Sequence, residues 1–485
     1  MSQTPDFKFD LGKRPSSQRL ATQEPMRILF MTDLGATCES RLNHSLKTRP
    51  LRRMDVDVFD DFLVEERPYI NISNRGFDIR DIHHFHPDHL LSEHSDLKEL
   101  LDLRQSLRTP TTFDHAARTV RELLSSALQN APDAGGTDES DSETMNRLFG
   151  TPTQGMPAES PGDPLSQLIQ EAIADHIVPN DEPKADPYIA AIEAAVSAHL
   201  RSILRDTTFQ AIEAAWRGLD MLVSRIDMDE TLALHVWNVG KSEVLEAMGP
   251  GGSAPDASDL HRRLVEDHAD APFTFIVTDF SFGEHDDDQR LLGTLAAMAG
   301  RTGGLVLASL SPHAFGAHSW DVLLSAEANE DKFMALRDTP LAAQICAFAP
   351  RFLLRQPYGK TSDPLDTFAF EELGSGKPQT DNLLWGAPAL LGAILIAQAF
   401  AMDGWQMRLN QSLQIGDLPY IVFDDAGERA ILPCAEVAFT DTQAERLFAS
   451  GITPVLAIKN SNAVQLAAFR TLATTQSDML GPFAL

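Results

Sequence analysis

Five histidines, His83, His84, His86, His89 and His94, fall within the segment DIHHFHPDHLLSEH and make up a third of the chain's 15. Imidazole is the commonest transition-metal ligand, so this density raises a metal site and, with it, a metal-dependent enzyme. A helical metal motif needs two histidines on one face beside a positioned carboxylate, and Pro87 interrupts any helix before His89. The expectation is therefore a solvated polar loop, with Asp88 and His89 on a turn or first helical turn and Phe85 turned inward. Glu284 to Asp288 (EHDDD) follow a strand-like run, where α/β proteins bind ligands. A charge run that opens a helix ordinarily complements the helix dipole, and that is the reading expected here. Gly249 to Gly252 (GPGG) and Gly303 to Gly304 lack the spacings that cradle phosphates, and no G-x-S-x-G elbow occurs. No catalytic residue, cofactor or metal is predicted, and the chain does not read as an enzyme.

The arginines beside aromatic and turn residues are a different matter. Trp216 and Arg217 in FQAIEAAWRGLD, and Arg351 and Arg355 in APRFLLRQPYG, place planar guanidinium forks next to apolar groups. Such forks suit buried ion pairs, at interfaces or inside one fold. An interaction protein is favoured on this ground alone.

The frame that must position these residues has 485 residues, 70 acids against 40 bases, a net charge of -30 and a pI near 4.8. That length allows two to four domains, and that charge repels nucleic acid and anionic lipid. Residues 1–130 carry a net -2, residues 131–190 carry -10 and residues 191–485 carry -18. Cys38, Cys346 and Cys434 lie far apart, which suggests neither a disulfide framework nor a thiolate zinc site and fits a reducing, cytoplasmic setting. Met1 to Gln23 is polar, unlike a signal peptide. Ala387 to Ala401 is apolar but shorter than the roughly 20 residues of a membrane span, so a buried helix is expected.

The predicted organisation starts with a disordered tail, 1–25, and a first module, 26–129. That module holds a strand at Arg27 to Thr32, a period-2 strand through Met54, Val56 and Val58, a strand at Tyr69 to Ile72, and helices at Leu97 to Leu107 and Ala116 to Leu128. An acidic linker spans 130–162, too poor in large apolar groups to fold. An amphipathic helix covers 163–176, with Asp163 as cap and Leu165, Leu168, Ile169, Ala172 and Ile173 on one stripe. It either docks on the next module or is presented to a partner. In the second module, 186–485, helices at Tyr188 to Leu204 and Phe209 to Ser224 precede alternating strands and helices. The strands fall at Leu232 to Val239, Phe273 to Thr278, Gly304 to Leu310 and Ile345 to Phe348, which implies a mixed α/β fold with a largely parallel sheet flanked by helices. Short strands near Tyr420 to Phe423 and Val455 to Ile458 and a helix near Thr442 to Ala449 close it.

The same residues carry a family resemblance. His199 to Ile226, with its FQ-x-x-E-x-x-WRGL block of Phe209, Gln210, Glu213, Trp216, Arg217, Gly218 and Leu219, resembles the large subunit (TssC/VipB-like) of the type VI secretion contractile sheath. So do APRFLLRQPYG (Ala349 to Gly359), FAFEE (Phe368 to Glu372), LLWGAPALL (Leu383 to Leu391), DGW (Asp403 to Trp405) and Pro433 to Val464, in family order. The first module resembles the small subunit (TssB/VipA-like) in Met26 to Gly35, in RPLRRMDVDVFDDFL (Arg49 to Leu63), a charged strand followed by a helix start, in the Phe85-x-Pro87 segment and in LLDLRQSL (Leu100 to Leu107).

The resemblance implies two intertwined sheath-type modules in one chain, small then large, joined by a 33-residue linker with a reach on the order of 30 Å. It implies a non-enzymatic, oligomeric structural protein whose partners are other sheath protomers, with baseplate proteins, an Hcp-type inner tube and an AAA+ recycling unfoldase as further candidates. Leu165, Leu168, Ile169, Ala172 and Ile173 would then be partner-binding residues. Phe209, Trp216, Arg217, Arg351, Arg355, Tyr358 and Trp385 would be structural or interface residues. The family's large subunit continues past the equivalent of Val464 through a domain with an SRFAHYLK block, which this sequence lacks, so a specialised cap, adaptor or assembly inhibitor is the alternative role.

Overall fold

A computed structural model of the chain describes residues 25–72, 75–120, 185–248, 259–325, 333–374, 377–410, 412–425, 427–474, 479 and 483. The linker 130–162 and the stripe Leu165, Leu168, Ile169, Ala172 and Ile173 lie outside them, as does the tail before Pro25. The chain opens with β1 (Met26–Thr32), α1 (Glu39–Asn43), β2 (Arg52–Met54), α2 (Val56–Glu66) and a hairpin of β3 (Tyr69–Ile72) and β4 (Arg75–Asp78). Among the helices that follow in the described residues are α3 (Pro87–Glu93), α4 (Ser95–Arg108), α5 (Ala185–Leu204) and α6 (Thr207–Arg225). Alternation then sets in, with β5 (Leu232–Asn238), α7 (Lys241–Ala247), β6 (Phe275–Phe282), α8 (Asp286–Arg301), β7 (Leu305–Leu310) and β8 (Ile345–Ala349). The remainder comprises β9 (Phe352–Leu353), β10 (Trp385–Gly386), α9 (Ala389–Asp403), β11 (Gln414–Ile415), a hairpin of β12 (Ile421–Asp425) and β13 (Glu428–Leu432), α10 (Asp441–Ala449), β14 (Ile452–Ala457) and β15 (Val464–Leu466).

These elements form two units. The larger takes Met1–His86, Arg205–Pro364 and Leu373–Leu485, the smaller Pro87–Leu204 and Leu365–Glu372. The larger is built on a nine-stranded sheet ordered β11-β15-β14-β8-β7-β6-β1-β5-β2. From β14 to β5 all six neighbours run parallel, while β2 and β15 join antiparallel. This is the mixed α/β class with a largely parallel, helix-flanked sheet that strand and helix alternation implies. The first strand sits deep within it. Met26–Thr32 pairs along its length with Leu232–Asn238, and Ile28–Met31 pairs on the other side with Phe275–Thr278. Six of its seven side chains are buried, which is why it reads as an unbroken apolar run rather than an alternating one.

The period-2 reading of residues 54–58 is corrected. The strand ends at Met54, and Asp55, its carboxylate accepting from Val58 N at 3.0 Å, starts α2. Phe59, Phe62, Leu63 and Glu66 form the buried helical stripe, whereas Val56 and Val58 are exposed, so the D-V-D-V alternation marks a helix's wet side. Pro87 likewise opens a helix at its first position, with His89 on the first turns. Asp286, Asp287 and Asp288 form the first turn of α8, and Asp288 also accepts from Gly283 N at 2.6 Å and pairs with Lys241 at 2.5 Å. The apolar stretch at 387–401 is α9, buried along Ala389 to Ala397, with Gly392 against Phe348 where a Cβ would come within 2.5 Å of the ring.

In the smaller unit α4 packs on α5, and Arg104 Nε meets Glu193 at 2.5 Å. The segment Leu365–Glu372 lies among these helices and is held by its main chain. Asp88 accepts from Asp366 N (2.9 Å) and the Thr367 hydroxyl (2.8 Å), Arg104 donates to Thr367 O (3.1 Å), and Arg201 donates twice to Glu371 O (3.0 and 2.8 Å). Phe368, Phe370 and Glu372 are buried there. Thus FAFEE is a docked strap.

Candidate functional site: the seat of the N-terminal segment

Asp206 starts α6 by accepting from Thr208 N and Phe209 N at 2.9 and 3.0 Å. From that fixed start, Phe209, Glu213, Trp216 and Leu219 recur at helical spacing and are all buried, with Arg217 one turn after Glu213.

Glu213 has no exposed surface, and one oxygen, Oε1, accepts from Arg217 Nε and from Arg355 Nε, each at 2.8 Å. Burial by itself pushes this carboxyl up, but Arg355 and Arg217 outweigh it and hold it below the usual carboxylate range. Burial would lower Arg217, and Glu213 reverses that too. The Arg355 guanidinium stacks 4.2 Å from the Tyr358 ring centre, and Arg217 donates to the Tyr358 hydroxyl at 3.2 Å. That hydroxyl reaches the Phe85 carbonyl at 3.5 Å, the His86 ring edge meets the Tyr358 ring at 4.9 Å, and Phe85 packs edge-on against Phe209 at 5.8 Å. Residues 85 and 86 are therefore seated on a buried charge network drawn from residues 209–217 and 355–358.

A second anchor lies two turns along. Trp216 Nε1 donates to Leu34 O at 3.0 Å, and its ring packs against Phe59 and Phe62 at 6.2 and 5.7 Å. Asn238, closing β5, accepts from Leu34 N at 3.1 Å, so both main-chain groups of Leu34 are read by side chains from far along the sequence. Asn238 also donates to the Ser40 hydroxyl (3.2 Å), which donates to Glu66 at 2.6 Å. A third anchor is Arg49, 2 % exposed, which donates to Asn238 O at 2.8 Å and grips Glu243 with both terminal nitrogens at 2.8 and 2.5 Å. Burial works against the Glu243 charge, and Arg49 and Arg41 keep its carboxyl below the ordinary range.

Of the residues singled out in the sequence, Phe209, Trp216, Arg217, Arg355 and Tyr358 come together here. Arg351 and Trp385 form another group: Arg351 holds Glu436 at 3.0 and 2.6 Å and lies 5.9 Å from the Trp385 ring centre, while Trp385 donates to Thr380 O at 2.8 Å. The histidines are dispersed. His83 and His84 lie on the 3-10 turn Ile82–Phe85, His86 edges Tyr358, His89 lies on α3, and His94 accepts from Leu97 N at 3.3 Å while facing His199 at 3.0 Å. Among the described residues no three of His, Cys, Asp and Glu gather as metal ligands. Asn238, Arg49 and Glu243 escaped sequence reasoning. A lone Asn ending an apolar strand was the one available signal for them. The arrangement holds polypeptide: its buried ion pairs close on one another, and Trp216, Asn238, Arg49 and Tyr358 reach main-chain groups.

The family model for the EvpB/VC_A0108 tail sheath N-terminal domain (VipB) matches residues 186–476. The type VI secretion system sheath protein TssC1 of Pseudomonas aeruginosa is 30% identical over 305 residues, covering 59% of this chain and 61% of that protein. The chain thus spans less than two thirds of the curated relative's length.

Proposed function

Because the chain belongs to the VipB (EvpB/VC_A0108) tail sheath family, a family of structural proteins and not of enzymes, we propose that it is a cytoplasmic structural subunit of a type VI secretion sheath, carrying a small-subunit-like and a large-subunit-like half in one chain. The match across residues 186–476 carries the sheath assignment. The fused reading is supported by β1, a strand of the first module completed on both sides by strands of the second, and by the seat that α6 offers to Leu34, Phe59, Phe62 and Phe85. In this reading Phe209, Trp216, Arg217, Arg355 and Tyr358 join the two halves, and fusion sets their ratio at one to one and raises their effective concentration. The partners are other sheath protomers, with baseplate proteins, an Hcp-type tube and an AAA+ unfoldase acting at the level of the assembly. Leu165, Leu168 and Ile169 are the proposed unfoldase contacts, and Leu168→Asp should weaken unfoldase capture in a pull-down.

Negative-stain microscopy of the full chain, alone and co-expressed with tube and baseplate components, tests the assignment. Tubes, rings or defined oligomers are expected. A strict monomer that binds none of these components would overturn it.

A further inference from the structure

A second polar cluster lies in the larger unit, among the amino-terminal ends of the parallel strands, and the seat described above does not use it. In register, Arg53 of β2 faces His235 of β5, and His235 faces Leu29 of β1. Side chains alternate along a strand, so Arg53, His235 and Arg27, two residues before Leu29, emerge on one face of three adjacent strands. Arg27 Nη2 lies 3.3 Å from His235 Nε2, and its guanidinium stands 4.8 Å from the Phe273 ring centre. The rings of His235 and His268 pack against that same Phe273 at 5.5 and 4.7 Å.

This group is short of acceptors. Arg27 Nη1 and His268 Nε2 are buried and make no hydrogen bond among the described residues. Arg53 donates to Asp229 O at 2.9 Å and lies in the field of the Asp229 carboxylate, while the nearby Asp267, which favours charge on His268, is paired to Arg263 at 2.8 Å. Burial, then Arg27, depress the His268 imidazole, and burial, Arg27, His268 and Arg53 push His235 down to about 4, so both rings are neutral at pH 7. Like charges on neighbouring strands destabilise a sheet, and buried donors without acceptors cost about 1–3 kcal/mol each. In a chain with a net charge of -30, the Arg27 guanidinium has no carboxylate ion-pair partner among the described residues, and its Nη1 and His268 Nε2 are donors still missing a ligand.

We propose that Arg27, Arg53, His235 and His268 form an oxyanion site, which takes a carboxylate or a phosphate group. The ligand's lone pairs accept from Arg27 Nη1 and His268 Nε2, and its charge balances Arg27 and Arg53. The group comes either from an acidic side chain of another protein molecule or from a free oxyanion.

The test is calorimetric titration and thermal unfolding of the full chain with sodium acetate, phosphate or sulfate, against sodium chloride at equal ionic strength and pH 7. Saturable binding is expected, with affinity falling tenfold or more in Arg27→Gln, about the loss for one charge-assisted bond. His268→Gln, on the turn after Arg262–Glu266, should weaken binding in the same direction and serves if Arg27→Gln does not fold. Binding of acetate alone supports the site with a side-chain carboxylate as its source, and binding of phosphate or sulfate supports it with a free oxyanion. A response no larger than that to chloride, or undiminished affinity in both variants, overturns the site whether or not the chain builds a sheath.

Discussion

At the residue scale, Glu213 is the centre on which the seat depends. Two arginines converge on one of its oxygens in a fully buried setting, and truncating one member of such a group leaves the others charged and unpaired. Glu213→Ala should therefore destabilise the protein by about 3–5 kcal/mol, measured by urea unfolding at pH 7. The folded carboxyl sits below its unfolded value, so its contribution is present above the ordinary carboxylate range and is lost as pH falls through that range and below. Glu213→Gln should accordingly show a shallower loss of stability below about pH 4.5 than the unmodified chain. Asp279 has the opposite sign. Burial first, and then the charge of Asp33, push it up to about 7, although Thr32 donates to it at 2.5 Å. A carboxyl raised above its unfolded value binds its proton in the native state, so stability falls as pH rises from about 4 to 7. Asp279→Asn should gain about 2 kcal/mol over the unmodified chain at pH 8, after discounting for solvent screening, and most of that gain should vanish at pH 4. Equal urea midpoint differences at the two pH values would argue against this.

At the element scale, α6 is the part that organises its surroundings. Trp216→Phe keeps a ring against Phe59 and Phe62 but removes the indole donor to Leu34 O, leaving that buried carbonyl only the weaker Cys38 thiol donor at 3.2 Å among the described residues. A loss of about 1–2 kcal/mol is expected for it, against about 3–5 for Trp216→Ala, which also empties the pocket. Much of this layer was legible in the sequence. Helices α5 and α6 show a 3.6-residue apolar repeat, and β5 to β8 are apolar runs separated by helical patterns, as buried parallel strands must be. Residues 54–58 were not, because three alternating residues are too few to separate a strand from the wet side of a helix, and the cap at Asp55 was the better clue. Nor was the meeting of Glu213 with Arg355, 142 residues apart. Each residue type announced a buried ion pair, but nothing local in a sequence states the partner.

At the scale of the whole molecule, the union of residues 26–86 with the rest of the larger unit rests on a central strand, three polar anchors and a set of aromatic contacts. A protease site placed within 130–162 should accordingly yield two fragments that still elute as one species in size-exclusion chromatography without denaturant. Separation of the fragments would count against two complementary halves. The order of strands is what local patterns could not convey: β1 lies between β5 and β6, strands that begin at residues 232 and 275.

That same placement also governs what happens on the ribosome. The segment MRILFMT emerges before the strands that flank it, which begin more than 200 residues later. At about 5–20 residues per second, its apolar edge waits on the order of 10–40 s before either neighbour exists. During that interval it is a free strand with unsatisfied amides, open to pairing with other nascent chains on the same message. A holdase that shields short apolar segments should therefore raise the yield of native protein when supplied during synthesis, and do much less when added afterwards.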